Sequence, residues 1–140
     1  MSQEKRVSIN KLEKIARTKF GYKQIYIDGE KLSYCENMRD SVIESLVNEY
    51  KEIRNTVFEI QPQFLFLKEA LLIRHFTICG LEKLDLSKKN DIVKLINGTN
   101  DLYDITLESE GIKYLNKIMT LFSKSDIDKI YNKLKDVVTT

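Results

Sequence analysis

His75 is the only histidine of the chain, and Cys35 and Cys79 are its only cysteines. Any Ser-His-Asp or Cys-His arrangement for nucleophilic catalysis must therefore use them. His75 lies in the most apolar stretch, "FLFLKEALLIRHFTIC", between Arg74 and Phe76. A partly buried, hydrogen-bonded histidine is the expected role there, given the intermediate burial usual for this residue type. Zinc takes four Cys, His or carboxylate ligands, and one histidine with two distant thiols does not make a standard set. Asp101, Asp104, Glu108 and Glu110 gather carboxylates suited to a hard cation, but they lack the central glycine and terminal glutamate of a calcium loop; a solvated acidic loop is expected. The five glycines, at 21, 29, 80, 98 and 111, are too scattered for a phosphate-cradling loop. With 21 acids in the chain, paired carboxylates discriminate nothing. These residues point away from an enzyme, a cofactor and a metal centre, and toward a protein that works by binding.

The charge layout supplies candidate binding faces. Residues 1–23 carry seven Lys/Arg against Glu4 and Glu13, residues 24–62 hold eight acids against four bases, and residues 112–140 return to six Lys against three Asp. The ends are basic and the middle is acidic. Lys11, Lys14, Arg17 and Lys19 are the candidate contacts to nucleic acid, because lysine-rich segments track phosphate. They are spaced along a helical pattern instead of clustered, and the net charge is only +2. That disfavours a dedicated nucleic-acid binder, whose domain pI is typically above about 9.

Tyr22, Tyr26 and Tyr34 gather beside Lys19, Lys23 and Lys31. Such aromatics can stack bases, but tyrosine is also enriched where proteins meet, and two strands make a small stacking platform. Ile25, Tyr26, Ile27 and Tyr34 are therefore candidate protein-binding residues, together with Glu44, Glu49 and Glu52 on an acidic helix face.

The elements that must position these groups are mainly helical. At 140 residues, 42% apolar and 31% charged, the chain fits one folded domain with one core. Ser8 can cap a short helix with Ile9, Leu12, Ile15 and Ala16 at helical spacing, and Gly21 breaks it. Residues 24–35 then alternate around Asp28-Gly29, the pair that tolerates positive φ in a type I′ turn. An isolated hairpin is marginal in water, so it is expected to lie on the helical core or to offer an edge to another chain.

Asn37, with Asp40 three residues on, starts a helix of roughly twenty residues. Its apolar stripe is Val42, Ile43, Leu46, Val47, Tyr50, Ile53 and Val57, opposite Glu44, Glu49, Glu52, Lys51 and Arg54. Pro62 suits the first position of the next helix, which runs to Cys79, is apolar on nearly every side and must be surrounded; Gly80 ends it. Ser87 caps a short helix that Asn97-Gly98 closes, residues 99–111 read as a loop or irregular helix, and two amphipathic helices follow. Ile112, Leu115, Ile118, Met119 and Phe122 mark the first; Ser125 caps the second, with Ile127, Ile130, Tyr131, Leu134, Val137 and Val138 on one stripe. The fold class is mainly α, a helical bundle of five to six helices with one small N-terminal β-hairpin. Two isolated thiols fit a reducing compartment, no secretory h-region opens the chain, and no apolar run reaches the roughly 20 residues of a membrane span.

"VSINKLEKI", the alternating "IYIDGEKLSY", the long acidic helix and "ALLIRHFTICGLEKLD" together resemble small proteins of Gram-positive phages and prophages, commonly encoded in head and tail morphogenesis modules. The resemblance implies a non-enzymatic protein that binds other phage proteins or itself: a connector, a minor structural protein or a tail-assembly chaperone, in the bacterial cytoplasm or carried into the virion. A phage inhibitor of a host defence nuclease is the alternative, with Glu36, Asp40, Glu44, Glu49, Glu52 and Glu59 as phosphate surrogates. Small nucleic-acid binding is the third.

Overall fold

The computed structural model describes residues 6–139, with side chains to Val137; Glu4, Lys5 and the side chain of Val138 lie outside the described residues. The protein is mostly helical. Its α-helices are α1 (Ile9–Phe20), α2 (Asp40–Ile60), α3 (Leu67–Phe76), α4 (Lys89–Asp104), α5 (Tyr114–Met119) and α6 (Lys124–Thr139). Strands β1 (Lys23–Ile27) and β2 (Glu30–Tyr34) form the expected hairpin, with Ile25 opposite Leu32 and Ile27 opposite Glu30. Asp28 (φ 47°) and Gly29 (φ 81°) hold the two left-handed positions that a type I′ turn requires. A two-residue strand β3 (Thr77–Ile78) pairs with Ser33 and Tyr34 of β2, so the hairpin rests on the core through a third strand and leaves β1 as its outer edge.

The core is built around α3, whose Ala70, Leu71, Leu72 and Ile73 have no solvent exposure. A helix apolar on every side is stable only when enclosed, and residues of α2, α4, α5, α6 and the hairpin complete the cluster. From α2 come Ile43, Leu46, Val47, Tyr50, Ile53 and Val57, and from α6 Ile130 and Leu134. The stripe expected for α2 and that of α6 as far as Val137 thus face inward as their spacing requires.

Several boundaries differ from the sequence-based expectation, each for a local reason. Asn37 does not start α2; the helix begins at Asp40, and Asn37 Nδ2 instead donates to the Lys19 carbonyl (3.0 Å) at the end of α1. Pro62 does not open α3. Residues 62–66 stay irregular because their side chains take different surroundings: Phe64 is buried, Leu65 is exposed and Phe66 packs against Tyr103 with ring centroids 4.5 Å apart. At its far end α3 yields to β3, and the Thr77 hydroxyl donates to the Ile73 carbonyl (2.8 Å). Gly80 (φ 114°) therefore follows a strand and opens a 3-10 turn, with its amide held by the Glu82 carboxylate (2.8 Å).

Asn97-Gly98 does not close α4. The stripe Ile92, Leu95, Ile96 continues to the buried Thr99, whose hydroxyl bonds the Leu95 carbonyl (2.7 Å), and a Cβ on Gly98 would crowd the Leu81 side chain at 3.3 Å. Ser87 bonds Asp85 rather than capping this helix. Residues 99–111 finish α4 and form β4 (Thr106–Leu107), which pairs with β5 (Ile112–Lys113); Ile112 therefore belongs to a strand. Ser123, not Ser125, caps α6 by accepting the Asp126 amide (3.1 Å).

Burial separates positions that the same helical spacing predicts alike. Leu71→Ala is expected to lower the unfolding free energy by about 3 kcal/mol, whereas Leu12→Ala shifts it by no more than about 0.5 kcal/mol. Urea unfolding checks the contrast, and a comparable loss in both variants would show that Leu12 is packed.

Candidate functional site

Helix α1 is amphipathic yet buries none of its residues. Ser8 caps it by accepting the Lys11 amide (3.3 Å), and Ile9, Leu12, Ile15 and Ala16 fall within about 120° of arc at 3.6 residues per turn. Ile9 and Ile15 are 70% and 61% exposed, and Val7, just before the helix, 83%. Among the described residues, the contacts that tie it down lie at its C-terminal end. The Cys35 thiol donates to the Phe20 carbonyl (3.4 Å), Asn37 holds the Lys19 carbonyl, and the Arg39 guanidinium lies over the Phe20 ring at 5.4 Å. Gly21 is required at the exit, since a Cβ there would meet the Arg17 carbonyl oxygen at 2.4 Å. Burial raises the Cys35 thiol pKa, and the Tyr22 hydrogen bond lowers it by less; a thiol so held is a packing group.

The candidate nucleic-acid contacts Lys11, Lys14, Arg17 and Lys19 all lie exposed on this helix. Arg17 approaches Glu13 at 3.9 Å, and Lys11 and Lys14 form no ion pair among the described residues. The helix therefore presents an apolar stripe and a cationic face together.

The hairpin does not gather its four candidate binding residues on one outer surface. Side chains alternate across a strand, and the register places Ile25, Ile27, Leu32 and Tyr34 on one face, with Tyr26 and Lys31 on the other. The first face is turned to the core: Ile27 is 3% exposed, Ile25 is half-buried, and Tyr34 meets Phe122 edge-on at 6.2 Å. Ile25, Ile27 and Tyr34 as joint contact residues are thus corrected to packing positions. Tyr26, 69% exposed, remains available.

The acidic face of α2 is largely occupied from within. Glu36 pairs with Lys23, Asp40 with Lys129 (2.6 Å) and Glu44 with Lys133 (3.0 Å). Glu49, expected opposite the apolar stripe, borders it instead, four residues before Ile53. Its Oε1 accepts from Arg74 Nε (2.7 Å) and His75 Nε2 (2.9 Å), and its Oε2 from Arg74 Nη2 (3.2 Å). Arg74 also donates to the Leu81 carbonyl (2.6 Å). The three side chains are each less than one-fifth exposed. Burial pushes the Glu49 carboxyl pKa up, but the hydrogen bonds from His75 and Arg74, with their charges, outweigh it and hold the value below 4.5. His75 thus has the hydrogen-bonding role its surroundings suggested. The cluster was legible only as an Arg-His doublet interrupting an apolar helix, and nothing in the spacing named Glu49 as its partner.

Beyond Glu49, a groove of about 880 Å3 opens between the second half of α2 and residues 84–92. The largely buried Ile53, Leu86 and Ile92 form its floor, the paired Glu49 and Arg74 line its inner side, and Glu52, Glu59 and Asp85 outnumber Lys89 on its exposed rim. Hydrogen bonds from the Ser87 hydroxyl and amide hold the Asp85 carboxyl pKa below its usual range. Glu52 and Glu59 are exposed and form no ion pair among the described residues. Among those residues, too, no group of three or more His, Cys, Asp or Glu is placed to hold a metal ion, and no helix is long and apolar enough to cross a membrane.

No family model matches the chain, and no curated protein or solved structure matches it.

Removing the Glu49 carboxylate leaves Arg74 half-buried without its counter-charge. Glu49→Ala is expected to cost about 3 kcal/mol of stability at neutral pH. Because the folded-state pKa is depressed, the stabilisation is present above the unfolded value of 4.5 and is lost as pH falls through the lowered folded value. Unfolding free energies measured from pH 7 downward check this: the native curve falls more steeply on the acid side than that of Glu49→Gln, and parallel curves would refute the pairing.

Proposed function

We propose that this protein is a phage-encoded, non-enzymatic assembly factor that works by binding other proteins in head or tail morphogenesis, as a connector, minor structural protein or tail-assembly chaperone. The observation that carries the protein-binding part is the exposed apolar stripe of α1. A short helix gains little from intrinsic propensity, and α1 places none of its apolar residues in the core of its own chain. Contiguous apolar surface on a folded protein marks an interaction site, and an amphipathic helix offering anchors at three- and four-residue steps is a recurring recognition mode. Tyr26 on the outer face of the neighbouring hairpin adds amphipathic contact area. The phage assignment rests on the resemblance of the ordered segments.

The inhibitor alternative draws less support from the geometry. Of the six acids that would mimic phosphates, Glu36, Asp40, Glu44 and Glu49 each face a cation of the same chain, which weakens the field a nucleic-acid channel would meet. Nucleic-acid binding would use Lys11, Lys14, Arg17 and Lys19, but it gives the apolar stripe between them no role.

The test is capture of partners from phage-producing cells with the native chain and with the Leu12→Asp, Ile15→Asp variant. The expected result is a virion protein retained by the native chain and reduced at least tenfold with the variant, whose thermal midpoint is unchanged. Equal retention by both would contradict the proposal, as would retention of nucleic acid alone.

A further inference from the structure

We infer that α1 of one copy docks into the acidic groove of a second copy, so that the protein associates head to tail. The inference deepens the protein-binding reading by naming a partner surface, and it rests on that reading. Charge complementarity selects the occupant. From Arg6 to Phe20 the chain carries Arg6, Lys11, Lys14, Arg17 and Lys19 against Glu13 alone, so two α1 helices laid side by side would oppose like charges, which disfavours that pairing across an interface. The groove offers the reverse balance: Glu52 and Glu59, which form no ion pair among the described residues, stand with Asp85 against the single exposed cation Lys89, with Ile53, Leu86 and Ile92 beneath. Acids around an apolar floor match a helix whose apolar stripe is flanked by cations.

Donor and acceptor stand apart on the same molecule. Helix α1 is anchored at Asn37 and Arg39, beside the start of α2, whereas Glu52, Thr56 and Glu59 belong to its second half. Seventeen residues of α2, from Asp40 to Thr56, span about 25 Å at 1.5 Å per residue. Unlike surfaces at the two ends of one element make a heterologous contact, which repeats from copy to copy and closes into a ring when the rotation permits. Glu49 is taken up by Arg74 on the inner wall of the groove, leaving Glu52, Glu59 and Asp85 as the acids open to an incoming helix.

Sedimentation of the full chain tests this with two paired charge reversals, Lys14→Glu, Arg17→Glu in α1 and Glu52→Lys, Glu59→Lys in the groove. All four positions are exposed. The native chain is expected to exceed the 16.4 kDa of one copy with rising concentration, and each reversed variant to associate at least tenfold more weakly. An equimolar mixture of the two variants should regain association, because the acidic helix of each first variant then faces a basic groove and each native helix a native groove. A native chain that stays monomeric overturns the inference, as does association that survives either reversal or a mixture that remains monomeric. Should a reversal unfold the chain, a salt series on the native protein decides, and salt-insensitive association overturns the inference. A monomeric native chain that still retains a virion protein through Leu12 and Ile15 would end the self-docking inference alone; loss of both would end the protein-binding reading with it.

Discussion

The fold depends on enclosing α3. Ala70, Leu71, Leu72 and Ile73 leave no face for solvent, so the long helix α2, together with α4, α5 and α6, must wrap around it. Its polar positions fall toward its two ends, Lys68 and Glu69 at the start and Arg74 and His75 at the close. Arg74 and His75 are satisfied by one carboxylate, Glu49, and the same guanidinium fixes the Leu81 carbonyl. That shared ion pair ties α2, α3 and the following turn into one arrangement, and it is why a charged pair is tolerated at the edge of the core. The strand that follows α3 extends the same order outward: β3 pairs with β2 and holds the hairpin against the helices.

Once that core is closed, α1 has no place in it. Among the described residues, the helix is held near its last turn, by the Cys35 thiol, the Asn37 amide and the Arg39 guanidinium. Its apolar residues are as regularly spaced as those of α2, but they face solvent. A stripe of this kind is retained at some cost in solubility and is stabilised when a surface covers it. The groove beside α2 holds more exposed acids than cations, and the two features lie toward opposite ends of that helix. The proposed binding through unlike surfaces rests on that placement.

Where the chain carries regular apolar spacing, the architecture was legible. The stripes of α2 and α6, the Asp28-Gly29 turn and the enclosed character of α3 all followed from period and turn chemistry. Local signals misled where tertiary packing overrode them. Asn97-Gly98 has the form of a helix stop, yet Thr99 is buried and carries α4 onward to Asp104. Pro62 has the form of a helix start, yet the differing environments of Phe64, Leu65 and Phe66 keep the segment irregular. Ser87 and Asn37 have capping side chains that found other partners. In the candidate site, period two already separates Ile25 and Ile27 from Tyr26, so the inward face of the hairpin was readable. The Glu49, Arg74 and His75 cluster was not, because it joins residues 25 and 26 positions apart. The exposure of α1 was equally hidden, since spacing shows that a face is apolar and says nothing about what covers it.

The central claim is that α1 stands outside its own core and is covered by another molecule. Amide hydrogen exchange compared between dilute and concentrated protein tests it most directly. The account predicts that amides of Ile9–Phe20 exchange fast in dilute solution and slow markedly as concentration rises, while those of α3 exchange slowly throughout. Dilute protein in which α1 is already as protected as α3 would contradict the claim.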